Sequence, residues 1–222
     1  NDYLKAGIYD KAIDCLERLS KNDEYRLDAL RSLLRIRCTE HDWEAAIESA
    51  RRLEKEASED HSADIAHFHC ELAELAVKQK NPEAAEREVS LALLEKPYSP
   101  RALMLAGDFA FQKNQVKEAV EDWEKLRQHS EDHFPLVFSR LVKGYDALGD
   151  AAGAQAVIDY ALNRLPTSEV VEQAMKRAFK DKGQQAAAEI VSKGLSGHPT
   201  LGTLSVAMEF RKMIAPDDEQ LQ

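Results

Sequence analysis

Apolar residues recur along this chain at helical spacing, in short runs punctuated by a repeating turn signal. Each run opens on one frame, a turn-like residue followed five positions later by Ala. The frame reads Gly7 to Ala12, His41 to Ala46, Lys80 to Ala85, Asn114 to Ala119, Gly149 to Ala154 and Gly183 to Ala188. The alanines are spaced 34, 39, 34, 35 and 34 residues apart. The one long interval holds a polar insertion, Ser58-Glu-Asp-His-Ser62, which a loop accepts at small cost. Four and seven residues beyond each Ala stands an apolar side chain: Leu16 and Leu19, Ala50 and Leu53, Val89 and Ala92, Trp123 and Leu126, Ile158 and Ala161, with Leu195 in the last frame. This stripe predicts the buried face of a helix. Counting back thirteen and nine residues gives the face of a preceding helix, as in Leu72 and Ala76, Ala106 and Ala110, Leu141 and Tyr145, or Met175 and Phe179.

Two amphipathic helices per repeat follow. Ala73 and Gly107 on first helices, and the recurrent Ala on second helices, let the two axes approach closely. Pro97, Pro166 and Pro199 fall eleven or twelve residues after their Ala, where a helix must end. The first frame lacks most of its leading helix, and a lone trailing helix is expected over about 200–214. A 34-residue helix-turn-helix with small residues at the crossing and Pro at the exit resembles the tetratricopeptide repeat. The resemblance implies an all-α, right-handed superhelical solenoid of antiparallel helix pairs, running as a single array over residues 1–222. The usual first-helix Trp is replaced by Leu30, His69, Leu103, Phe138 and Glu172.

Composition agrees with this. Nine Gly and seven Pro are about 7% of 222 residues, against about 12% in average usage, so few turns are available and a β-sandwich is excluded. The 30 basic and 40 acidic residues give a net charge of −10, and no window forms a phosphate-binding stripe, which argues against nucleic acid. Apolar runs such as Ala102 to Phe111 are broken by charge and too short to span a membrane. The chain opens on Asn-Asp-Tyr, as an internal segment of a longer protein does, and carries no signal peptide pattern. Three widely spaced cysteines, Cys15, Cys38 and Cys70, suit a reducing compartment better than a disulfide framework.

Candidate chemistry is thin. His67, His69, Cys70 and Glu71 lie close in sequence, but on a helix only His67 and Glu71 share a face, and a closed metal site needs about four ligands. His129 and His133 flank acidic residues in an expected solvated turn. Phosphate-loop, nucleophile-elbow and His-Glu-x-x-His patterns do not occur. Trp43 and Trp123 read as packing residues. What remains is a surface, because first helices of such arrays line a groove. The register assigns to it Asp28, Arg31 and Arg35; His67, Cys70 and Glu74; Arg101, Met104 and Asp108; Ser139 and Lys143; and Gln173, Arg177 and Lys180. The basic members point to a polypeptide partner of acidic or mixed charge.

Three segments carry a narrower resemblance: Asp2-Tyr-Leu-Lys-Ala-Gly-Ile-Tyr-Asp-Lys-Ala12, Asp64-Ile-Ala-His-Phe-His-Cys-Glu-Leu-Ala73 and Ser196-Gly-His-Pro-Thr200. They resemble, in order and spacing, the repeat region of the lipopolysaccharide assembly protein B (LapB, or YciM) family. That family implies a non-enzymatic adaptor on the cytoplasmic face of the bacterial inner membrane, anchored by an N-terminal helix. The resemblance implies that such an adaptor brings the lipid A pathway deacetylase, LpxC, to the membrane protease FtsH. A rubredoxin-like iron or zinc module with two Cys-x-x-Cys pairs is implied outside these residues, so no cofactor is expected here. The alternative is a structural scaffold of a lipopolysaccharide-assembly complex without a role in proteolysis.

Overall fold

The structure, a computed structural model, describes residues 2–197 and 199–215. Among the described residues all regular structure is helical: α1 (Asp2–Leu19), α2 (Arg26–Thr39), α3 (Trp43–Ala57), α4 (Ser62–Lys78), α5 (Pro82–Glu95), α6 (Pro100–Gln112), α7 (Val116–His129), α8 (Phe134–Ala147), α9 (Ala151–Arg164), α10 (Ser168–Lys182), α11 (Gln184–Gly197) and α12 (Leu201–Ile214), with a 3-10 turn at Glu131–His133. The helices fall into two compact units. The first runs to Glu131 and holds α1–α7; the second starts at Asp132 and holds α8–α12. In the first, α2 pairs with α3, α4 with α5 and α6 with α7, while α1 lies on α2. In the second, α8 pairs with α9 and α10 with α11, and α12 packs on both α10 and α11.

The turn inside each pair is built the same way in four repeats. His41, Lys80, Asn114 and Gly149 adopt left-handed φ of 57°, 59°, 62° and 73°. The next residue's N–H then donates back to the ending helix, as Asp42 does to the Arg37 carbonyl at 3.0 Å and Asn81 to that of Ala76 at 2.9 Å. Asp42, Asn81 and Asp150 also cap the following helix, accepting from the N–H of Ala45, Ala84 and Gly153. Second helices end where expected, with Pro97, Pro166 and Pro199 two residues beyond α5, α9 and α11. The inserted segment is a loop at 58–61, entered through a left-handed Ser58 with φ 53°.

Burial follows the predicted stripes in the central frames. Ala46, Ala50, Leu53, Ala85, Val89, Ala92, Ala119, Trp123, Leu126, Ala154, Ile158 and Ala161 are all buried. Gly107 lies directly beneath the Trp123 indole, where a Cβ has no room. At the first-helix Trp position, Leu30, Leu103 and Phe138 are buried, and His69 is nearly so, with Nδ1 2.7 Å from Glu88 Oε2. Glu172 instead stays half-buried and pairs with Lys176 at 2.5 Å.

The outer frames depart from the expected register. Gly7 makes no turn, because α1 continues through it. In that frame Ala12 and Leu16 are half-buried and Leu19 is exposed. In the sixth frame the buried row is Ala187, Val191 and Gly194, one position ahead of the expected Ala188 and Leu195. Gly183, at φ 86°, caps α10, and α11 starts at the next residue, so this connection is a single residue against three in the other pairs. The trailing helix is α12, opened by a capping box between Thr200 and Thr203.

Candidate partner-binding surface

The outward rows of the first helices carry the residues assigned to the groove. In the first unit α4 and α6 lie side by side and their rows meet at Arg101. Its Nη1 donates to Glu71 Oε1 at 2.6 Å, and its Nε and Nη2 both donate to Glu74 Oε1, at 3.1 and 2.7 Å. His67 Nδ1 stands 3.1 Å from the same Nη1, and its Nε2 3.6 Å from Glu71. The His67 ring meets Trp43 and Phe68 edge-on, and those two stack at 5.7 Å. Burial works against the Arg101 charge, but its hydrogen bonds to Glu71 and Glu74 outweigh this and hold the guanidinium protonated above its ordinary range. On α2, Arg31 pairs with Asp28 at 3.3 Å and with Glu59 of the inserted loop. The Glu59 hydrogen bond raises the Arg31 pKa, and Arg31 in turn lowers that of Glu59. Met104 and Asp108 are half-buried further along α6.

In the second unit Gln173 donates to Ser139 Oγ at 2.7 Å, and that hydroxyl donates to Glu169. Arg177 Nη1 donates to Asp146 at 2.8 Å across α8 and α10. An open cleft of about 580 Å3 is bordered by Asp146, Gln173, Lys176, Arg177, Lys180 and Asp181.

Two expectations change. Cys70 is fully buried against Ala66, Ala92 and Ala102, and burial pushes its thiol up to about 11. It belongs to the core, since it follows His69 on the face of α4 turned toward α5 and α6. The assigned rows are also less basic than the residue list suggests. Arg31, Arg101 and Arg177 are each held by a carboxylate from the same or a neighbouring element. Among the described residues, Arg35, Lys143 and Lys180 are the assigned basic side chains that are exposed and without an ion pair. Glu59 and Asp146, absent from the sequence assignment, complete these pairs. The repeat period carries their signal: Glu71 and Glu74 precede Arg101 by 30 and 27 residues, one repeat less one or two helical turns.

Among the described residues, no group of three or more His, Cys, Asp or Glu could hold a metal ion. Among the described residues no helix is long and apolar enough to cross a membrane. His129 is used structurally, stacking on Tyr98 at 3.8 Å.

A family model for the tetratricopeptide repeat matches residues 70–132, which span α5, α6 and α7 with half of α4. The Pseudomonas aeruginosa pilF structure superposes with a TM-score of 0.53 at 18% identity, over 95% of this chain and 87% of that one. A MamA structure gives 0.51 at 12% identity, over 78% and 92%. The fold is that of tetratricopeptide-repeat proteins. Among curated relatives, lipopolysaccharide assembly protein B of Escherichia coli K12 is 25% identical over 94% of this chain. The Haemophilus influenzae protein of the same name is 24% identical over 85%. The chain resembles LapB along nearly its whole length, and it spans about half the length of these relatives, 54% and 47%.

Proposed function

We propose that this chain is the partner-binding repeat segment of a non-enzymatic, LapB-like adaptor that limits lipopolysaccharide synthesis by bringing the lipid A pathway deacetylase, LpxC, to the membrane protease FtsH. The observation that carries the reading is the similarity to E. coli LapB, 25% identity over 94% of the chain. Support comes from the first-helix rows, whose polar and charged side chains are arranged for exchange of ion pairs with a protein. Arg101, Glu71 and Glu74 are only partly exposed, so trading them for a partner's groups costs less than stripping fully hydrated charges. The proposed site of action is the cytoplasmic face of the inner membrane, reached through an anchor outside these residues. Three free thiols fit a reducing compartment there.

Arg35→Glu, Lys143→Glu and Lys180→Glu reverse the unpaired basic positions without breaking an internal pair. Introduced together into the full-length protein, they are expected to weaken deacetylase capture at least about tenfold, a size reached by a few buried charge contacts. Depleting the full-length protein is expected to lengthen the deacetylase half-life. An unchanged half-life removes the adaptor reading in favour of a structural scaffold in lipopolysaccharide assembly. A lengthened half-life with unaltered capture by the triple variant moves the contact away from these residues.

A further inference from the structure

The loop between α3 and α4, Ser58–His61, reaches α2 as well as the two helices it joins. It lies in the one interval where the repeat is lengthened. Its own neighbours fix it at both ends. The left-handed Ser58 donates its N–H to the Glu54 carbonyl at 3.1 Å, and the His61 N–H donates to Glu54 Oε1 at 3.3 Å. On the α4 side His61 Nδ1 lies 2.9 Å from Asp64 Oδ2, and the Ser62 N–H donates to Asp60 Oδ1 at 2.9 Å. Between these anchors Glu59 turns to α2. Its Oε1 accepts from Arg31 Nε at 3.2 Å and also from Nη2, while its Oε2 lies 3.2 Å from His61 Nε2. Arg31 stands in the outward row of α2, with Asp28 Oδ1 3.3 Å from its Nη1. One helical turn further, Arg35 is exposed and has no ion pair among the described residues.

A carboxylate is therefore already seated on Arg31, supplied by the chain itself. The pair lies at the surface, its side chains 51% and 32% exposed, and ion pairs that open contribute little free energy. Glu59 covers Arg31 without locking it. We propose that the Ser58–His61 loop is an internal competitor: Glu59 holds the seat on Arg31 that a carboxylate of a protein partner takes, and its displacement opens Arg31 and Arg35 together to an acidic segment of that partner. The proposal rests on the reading of the chain as a protein-binding adaptor and deepens it by giving one contact a built-in control. The chemistry of the partner follows from the group now in place and from the empty position beside it. Arg31 and Arg35 are four residues apart on α2, about 5–6 Å between Cβ atoms, and alternate side chains of an extended segment stand roughly 7 Å apart. A Glu-x-Glu stretch can address both.

The test uses the whole chain with nitrogen-labelled arginine and an acetylated, amidated Ala-Glu-Ala-Glu-Ala peptide as probe, read by the side-chain Nε–H signals of Arg31 and Arg35. Glu59→Gln keeps the length of the side chain and removes its charge. It is expected to tighten the peptide by about two- to fivefold, the range that competition from one exposed ion pair allows. Arg31→Gln in the same background is expected to abolish that gain. Asp60→Asn makes the same charge change one residue along, keeps an acceptor for the Ser62 N–H, and is expected to leave the affinity as in wild type. The lysine analogue of the peptide is expected to gain nothing from Glu59→Gln. Equal affinity of wild type and Glu59→Gln overturns the proposal. So does an equal gain in Asp60→Asn, which would reduce the effect to net charge, or a gain that survives Arg31→Gln. Failure of the adaptor reading looks different: the peptide still tightens on Glu59→Gln while the full-length protein captures no deacetylase.

Discussion

Single residues carry two kinds of tension in this molecule, and each has a measurable consequence. Lys80 occupies a left-handed turn position with φ 59°, where a Cβ costs roughly 1–2 kcal/mol, and it is exposed and needed for no contact in the turn itself. Lys80→Gly is therefore expected to stabilise the protein by about 0.5–1 kcal/mol, the gain being trimmed by glycine's larger unfolded entropy. Equilibrium urea unfolding reads this, and a loss of stability would mean that the turn differs. His61 holds the inserted loop to α4: Nδ1 lies 2.9 Å from Asp64 and Nε2 3.2 Å from Glu59, which also pairs with Arg31. Its backbone N–H reaches Glu54 at 3.3 Å. With a carboxylate on each ring nitrogen, the imidazolium is favoured. The Asp64 hydrogen bond leads in raising the pKa above 6.5, partly opposed by burial. A raised folded pKa contributes stability that is full below the unfolded value and lost as pH climbs through the folded one. The melting-temperature gap between wild type and His61→Gln is thus expected to be larger at pH 6 than at pH 9. A gap constant across that range would show that the ring acts only by packing.

At the scale of the helix, most of the organisation was readable because one constraint repeats. A small residue must sit at every crossing, so Ala46, Ala85, Ala119 and Ala154 could be placed by spacing alone, and all four are buried. Where the sequence offers no contrast, spacing cannot choose. Ala186, Ala187 and Ala188 are consecutive, any of them can serve the crossing, and the deciding factor is a turn shortened to the single residue Gly183. The two registers make opposite claims. Ala187→Phe is expected to overpack the α10–α11 crossing and cost roughly 1–3 kcal/mol, as is Ala119→Phe in the first unit, while half-buried Ala188 is expected to tolerate the same change better. Thermal unfolding of the pair of variants ranks them, and a larger loss for Ala188→Phe would restore the longer turn. The candidate surface was less legible for a related reason. Side-chain type marks Arg31, Arg101 and Arg177 as available charge, but whether a charge is free depends on what the neighbouring repeat sets opposite it. Glu59, Glu71, Glu74 and Asp146 stand 27 to 31 residues from those arginines in sequence and beside them in space.

Across the whole molecule, stability comes from neighbours, because a helix pair buries its apolar face only against the next pair. In the first unit α4 is covered by α3, α5 and α6, whereas α1 has α2 as its main neighbour. Local opening should therefore grow easier from α4 toward α1. The three cysteines sample that gradient within one unit: Cys15 is exposed on α1, Cys38 half-buried near the end of α2, and Cys70 wholly buried in the middle of α4. Burial raises the thiol pKa of Cys38 and lifts that of Cys70 to about 11, so neither offers much thiolate while its helix is closed. Labelling of the native protein by a disulfide reagent at pH 8 is expected to proceed in the order Cys15, Cys38, Cys70. The last step should follow the opening of α4, and Leu53→Ala, a truncation in the core between α2 and α3, is expected to accelerate it by passing instability to the adjacent pair. Equal rates at Cys38 and Cys70 would mean that α2 and α4 open in one step, and a Cys70 rate untouched by Leu53→Ala would mean that α4 and α5 hold together without their neighbours; either would show that the unit is not a nearest-neighbour stack.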